Sequence, residues 1–193
     1  MSARWTIVPD PRFAELQEPL RERVALAANS VQPDNFASLL DPLAQEILRQ
    51  GFKQAGADEG TVWLLDSEAK HLVPAYNSGP HAAKMIAQFK QPLNAGLISM
   101  VFASEQPIVE NEVFKNARQS KLLDELLQVQ THGLIAVPFH FLKGCRGVVS
   151  CVQLKKPARQ FEFADLGSIQ RTAALLSQLI ELRLLSTAVG WTS

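Results

Sequence analysis

The sequence predicts an α+β domain in which an antiparallel sheet carries the N- and C-terminal helices packed on one face. Three observations lead there. Residues 61–76 and 133–154 each read as a β-hairpin, apolar stripes at helical spacing lie at both ends of the chain, and short helical patterns fill the interval between the hairpins.

In chain order, residues 11–29 open with Pro11 and place Phe13, Leu16, Leu20, Val24 and Ala27 three and four apart, an amphipathic helix that Pro19 should kink or split. After the polar break 29–34, Asp34 reads as the N-cap of a second helix carrying Phe36, Leu39, Leu40, Leu43 and Ile47, with Gly51 or Gly56 available to stop it. Residues 61–65 and 72–76 are strands joined through the polar segment 66–70. Short helices are expected at 80–89, after the loop at 94 and at 120–130, with a short strand at 107–110. The second hairpin, 133–141 with 146–154, belongs at or next to the sheet centre, and Pro138 within it calls for a missing partner or a bulge. A long helix from about residue 165 to 185 closes the fold.

Composition narrows the function. A chain of 193 residues, 47% hydrophobic and 20% charged, fits one globular domain with end extensions. We expect an N-terminal extension over 1–33, the domain over 34–187 and a C-terminal tail over 188–193. Nineteen Lys and Arg balance nineteen Asp and Glu, so no global field favours nucleic acid or an anionic membrane, and neither is expected as a partner. The longest apolar stretch, 134–139, is far short of the roughly 20 residues of a membrane span, and Ile7-Val8 is broken at once by Pro9 and Asp10, unlike a signal peptide. A cytoplasmic location is expected.

The chain has two cysteines. On one strand, Cys145 and Cys151 would lie about 20 Å apart, too far for a disulfide, and read as inert thiols. His71, His81, His132 and His140 show no metal-ligand spacing, so no metal is expected. No nucleophile elbow, phosphate loop or dinucleotide fingerprint occurs, and the basic residues Lys143, Arg146, Lys155, Lys156 and Arg159 read as a solvated rim. No catalytic residue is assigned. The sequence identifies no cofactor.

A turn centred on residues 143–144 would pair His140 with Gly147, Pro138 with Val149, Ala136 with Cys151 and Leu134 with Gln153. That face is smaller and more polar than the opposite one, which collects Ile135, Val137, Phe139 and Phe141. Ala136, His140, Cys151 and Gln153 therefore become pocket candidates, with self-filling by covering side chains as the alternative. Trp63 and Tyr76 on the first hairpin, with Phe102 and Phe114 on the intervening segments, are placed either to stack on a planar ligand or to fill core. On the last helix Leu166, Ile169, Ala173, Leu176 and Ile180 form one stripe, and Leu175, Leu179, Leu182 and Leu185 another. Two apolar surfaces on one helix suggest a homodimer, with the first stripe as its candidate face.

Four segments, in order, resemble the GAF domain family: 56–66, 92–109, 133–139 leading through the turn to 147–154, and 161–165 opening the last helix. The resemblance covers about residues 36–187. It implies ligand-covering helices and loops on the free face of the sheet, end helices that often dimerise, and a small-ligand sensor. Members that bind cyclic nucleotides carry Asn-Lys followed by Phe-x-x-x-Asp-Glu. Here Lys155, Phe161 and Asp165 match, but Leu154 and Leu166 stand where the Asn and Glu would be, so that set is incomplete. Bilin-binding members use a Cys commonly followed by His, which neither cysteine is. The functional expectation is a non-catalytic sensory or regulatory module that takes an unknown small molecule and signals through its end helices to an unknown output protein. The alternative is an assembly module with a self-filled pocket.

Overall fold

The computed structural model describes residues 11–191 except 87 and 143. The expectation for residues 1–10, and the place of Lys143 in its turn, lie outside the described residues. Six antiparallel strands run β1 (Glu59–Leu65), β2 (His71–Asn77), β3 (Gln91–Pro92), β4 (Ile108–Glu110), β5 (Gly133–Phe141) and β6 (Gly144–Gln153). They form one sheet in the order β3-β2-β1-β6-β5-β4, so the two hairpins meet along β1 and β6. The helices are α1 (Gln17–Asn29), α2 (Pro42–Gln54), α3 (Ala82–Met85), α4 (Gly96–Ser104), α5 (Leu122–Leu127) and α6 (Phe163–Ala188).

One face of the sheet packs under α2 and α6. Val62, Leu64, Ala75, Ile135, Val137, Phe139, Phe141, Val149 and Cys151 meet Leu48 and Phe52 of α2 and Ile169, Leu176, Ile180 and Leu184 of α6. The two helices approach closely because Gly51 faces Thr172, where a Cβ would come within 2.2 Å of the Thr172 hydroxyl oxygen. A shorter set, α3 to α5, covers the other face around Trp63, Leu72, Met85, Phe89, Leu97, Val101, Leu127, Leu134 and Val148.

Several local expectations shift. Residues 11–16 form a 3-10 turn before α1, which places Pro19 in the first helical turn, where its missing N–H removes no helical bond. The second α-helix starts at Pro42 rather than after Asp34. Asp41 is its N-cap, accepting from the Ala44 N–H at 2.7 Å, and residues 36–39 form a separate 3-10 turn. Its end falls at Gln54, followed by Gly56 with φ +74°, a left-handed value that glycine adopts without strain. Pro138 lies past the reach of β4, which pairs only with 134–136, and a bulge follows at Phe139/His140.

The first stripe of α6 corrects an expectation. Ile169, Ala173, Leu176 and Ile180 are buried within the chain's own core and Leu166 is half-buried against it, so they are consumed by the sheet and α2 rather than left for a second copy. Leu175, Leu182 and Leu185 of the second stripe remain exposed. A capping box opens the helix, with the Glu162 side chain on the Asp165 N–H and the Asp165 carboxylate on the Glu162 N–H. Among the described residues no helix is long and apolar enough to cross a membrane.

Candidate functional site

Between the sheet and its short-helix cover lies a cavity of about 60 Å³. Its floor comes from alternate residues of four strands: Glu59, Thr61 and Trp63 on β1, Asn77 on β2, Leu134 on β5, and Ser150 and Val152 on β6. Met85, Ile98, Leu123 and Leu127 give the apolar cover, and Gln119, Asp124 and Thr131 add polar groups. One water needs about 10–15 Å³, so this space suits a few waters or a small organic group and is well below the roughly 300 Å³ where drug-sized pockets begin.

Three polar arrangements line it. Glu59 is 4% exposed. Its carboxylate pairs with His81 Nδ1 and accepts from Asn77 Nδ2 at 3.2 Å, which also donates to the Thr61 hydroxyl oxygen at 3.0 Å. Asn77 Oδ1 in turn accepts from the Gly79 N–H at 2.8 Å. A carboxylate this buried is sustained only by such pairing. In the second arrangement, the Trp63 indole N–H donates to the Ser150 hydroxyl at 2.8 Å, fixing the indole across the floor. In the third, Asp124 accepts from the Thr131 hydroxyl at 2.7 Å and the Thr131 N–H at 3.1 Å, tying α5 to the start of β5.

Of the eight residues the sequence nominated for a pocket, the structure places Trp63 in the cavity wall. Ala136 and Phe102 belong to the same apolar cluster without lining the space. Phe114 sits on the surface with its ring edge-on to His132 at 5.3 Å, and His140 is exposed with Nε2 2.9 Å from the Glu105 carboxylate. Tyr76, Cys151 and Gln153 correct the expected faces. Next to the turn Phe141 pairs with Gly144 and His140 with Cys145, and the bulge that leaves Arg146 as the extra residue then pairs Pro138 with Val148, Ala136 with Ser150 and Leu134 with Val152. That is one residue from the expected register, and such a slip exchanges the two faces of a strand. Ser150 and Val152 therefore face the cavity while Cys151 joins the core under α6. Gln153 is buried with its amide donating to the Gly56 and Arg159 carbonyls at 3.3 and 3.2 Å.

Tyr76 is displaced by a bulge. Val62 pairs with Tyr76 but Trp63 pairs with Pro74, leaving Ala75 as the extra residue, so Tyr76 packs against the helix-side core and Asn77 takes the cavity face. Pro74 was the available signal, since a proline inside a strand points to a bulge or an edge. Glu59, Thr61, Asn77, Asp124, Thr131 and Ser150 were missed. The alternation of Glu59, Thr61 and Trp63 with apolar neighbours was legible as one face of a strand.

The thiols are not activated. Burial pushes Cys151 far above the ordinary thiol value, and burial also raises half-buried Cys145. Asp165, which matched the nucleotide-binding pattern, is occupied structurally. The Arg159 guanidinium holds it with contacts of 2.5 and 2.9 Å and lowers its carboxyl below the usual range. Among the described residues no group of three or more His, Cys, Asp or Glu side chains is placed to hold a metal ion.

A family model, the GAF domain, matches residues 39–180. Solved structures share the fold. The GAF domain of a phosphoenolpyruvate-protein phosphotransferase from Coxiella burnetii superposes with a TM-score of 0.61 at 16% identity, over 95% of this chain and 100% of that one. Its counterpart from Acinetobacter gives 0.60 at 19% identity, over 86% and 93%. The free methionine-R-sulfoxide reductase of Neisseria meningitidis, solved with its substrate, gives 0.53 at 18% identity, over 94% and 96%. The comparison with curated proteins found no match.

Proposed function

The chain belongs to the GAF domain family, whose members are commonly sensory or regulatory, and on that premise we propose that it is a non-catalytic module, in the cytoplasm, that senses a small molecule in the cavity between sheet and short helices. The observation that carries the reading is the cavity itself, walled by a mixed apolar surface with a few convergent hydrogen-bonding groups. Occupancy biases the arrangement of the covering helices, and the end helices pass that bias to a partner protein. A homodimer is part of the proposal, now formed through exposed Leu175, Leu182 and Leu185. The non-catalytic part is supported by the raised thiols of Cys145 and Cys151, about 20 Å apart along β6 and so unable to cycle as a disulfide.

The test is a thermal-shift screen of small metabolites against the wild type and Ile98→Phe, which fills the cavity from α4. Stabilisation of the wild type that disappears in the filled variant is expected. Stabilisation that survives filling would place the ligand elsewhere. No stabilisation by any compound would favour the second reading, an assembly module with a self-filled pocket, which the small size of the cavity already supports.

A further inference from the structure

The lining of the cavity is one-sided in charge. Two carboxylates, Glu59 and Asp124, contribute to its wall, and the remaining polar lining comes from Thr61, Asn77, Gln119, Thr131, Ser150 and the Trp63 indole. Among the described residues, no Lys, Arg or His lines the cavity. The two carboxylates are not equivalent. Glu59 is already engaged by His81 Nδ1, outside the cavity wall, and by Asn77 Nδ2. Asp124 is held only by the neutral hydroxyl and backbone N–H of Thr131, and it enters no ion pair among the described residues. Each of its oxygens keeps a lone pair beyond those two bonds, since an ionised carboxylate offers about four acceptor sites.

We propose that the ligand of this cavity is a small organic cation: a protonated amine on an apolar body of a few carbons, with the ammonium on Asp124 and the carbons against Trp63, Met85, Ile98 and Leu134. The proposal rests on the reading of the cavity as a ligand site and names the class of ligand. An anion is disfavoured there, because it would lie beside a carboxylate with no compensating cation in the wall. A neutral ligand of the same shape binds more weakly, because it makes no ion pair with half-buried Asp124. An inorganic cation is poorly served, since the described acidic side chains are not gathered into a ligand set.

Asp124 also shapes the way in. Together with Gln119 and Val129 it lines both the cavity and a surface groove that includes Phe114, Lys121 and Glu125. These three side chains lie between the cavity and the groove, so a ligand crossing there passes beside the Asp124 carboxylate.

Three probes of matched length test the proposal on the full chain at constant ionic strength: n-butylammonium, n-butanol and butyrate. The readout is the Trp63 indole N–H resonance in a nitrogen–proton correlation spectrum, assigned by its loss in Trp63→Phe. It reports occupancy whatever the charge, because that N–H sits on the cavity floor bonded to Ser150. The expected result is that butylammonium shifts the resonance at about ten-fold lower concentration than butanol, that butyrate is weakest, and that Asp124→Asn brings the ammonium and the alcohol together. Gln119→Lys, which leaves the Asp124–Thr131 bonds in place, should reverse the order of ammonium and butyrate and guards against misfolding of the first variant. Equal response to ammonium and alcohol, or a preference for butyrate, would overturn the cation while leaving the ligand-site reading intact. If none of the three moves the Trp63 resonance, the ligand-site reading falls and the cation with it.

Discussion

The two faces of the sheet are built from the same strands and come out differently. Under α2 and α6 the packing is closed and apolar, with Phe139 fully buried between Phe36, edge-on at 6.3 Å, and Phe141 at 5.4 Å. Under α3, α4 and α5 the cover consists of helices of 4, 9 and 6 residues, too short to lay a continuous apolar stripe across the floor. What they leave is a cavity, and the residues beneath it are the ones with hydroxyls, amides and carboxylates. Long regular helices give density; short ones joined by loops give space and chemistry.

The largest effect that contrasts the faces should come from Phe139→Ala, which removes a ring at full packing density and should cost about 3–5 kcal/mol by urea denaturation. A pair of enlargements sharpens the comparison. Ile180→Phe forces a ring into the closed core and should destabilise by about 1–3 kcal/mol, whereas Ile98→Phe enters the cavity and should be neutral or stabilising by about 1 kcal/mol. Equal costs for the two would mean that the faces are packed alike. On the cavity side Trp63→Phe removes the bond to Ser150 and should cost about 1–2 kcal/mol, because the buried hydroxyl loses its donor.

The smallest effect lies at the entrance to α6 and depends on pH. Asp165→Asn should cost about 1 kcal/mol at neutral pH through loss of the capping box. The Arg159 contact lowers the folded-state pKa of Asp165 below its ordinary value of about 3.9. Its contribution is therefore complete above that ordinary value and is lost as the pH falls through the lower folded one. Urea midpoints of wild type and Asp165→Asn should differ above about pH 5 and converge toward pH 2. A gap that stays constant over that range would show that Asp165 does not act as a charged group.

The architecture was legible because it rests on long patterns: the stripes of α6, the two hairpins and the helix-rich interval between them all fall where periodicity places them. Which residues face the cavity was not legible, because facing depends on parity, and parity turns on single residues. The extra residue Arg146, in the bulge opposite Phe139 and His140, decided Ser150 against Cys151, and the extra residue Ala75 decided Asn77 against Tyr76. Turn geometry and bulges are settled by tertiary packing, which a short apolar run does not encode. Asp124 and Thr131 escaped for a different reason. They come together only through the loop between α5 and β5, seven positions apart and in no periodic relation.

Alternation has a mechanical corollary. Leu134 borders the cavity and Ile135, the next residue on the same strand, is buried in the core beneath α6; Val152 and Cys151 repeat the arrangement on the neighbouring strand. The sheet is thus a diaphragm one backbone thick, with the cavity pressing on one side and a 26-residue rod resting on the other. Leu134 and Val152 thus stand one peptide unit away from residues packed under that rod, a path through the sheet beside the one around its edge.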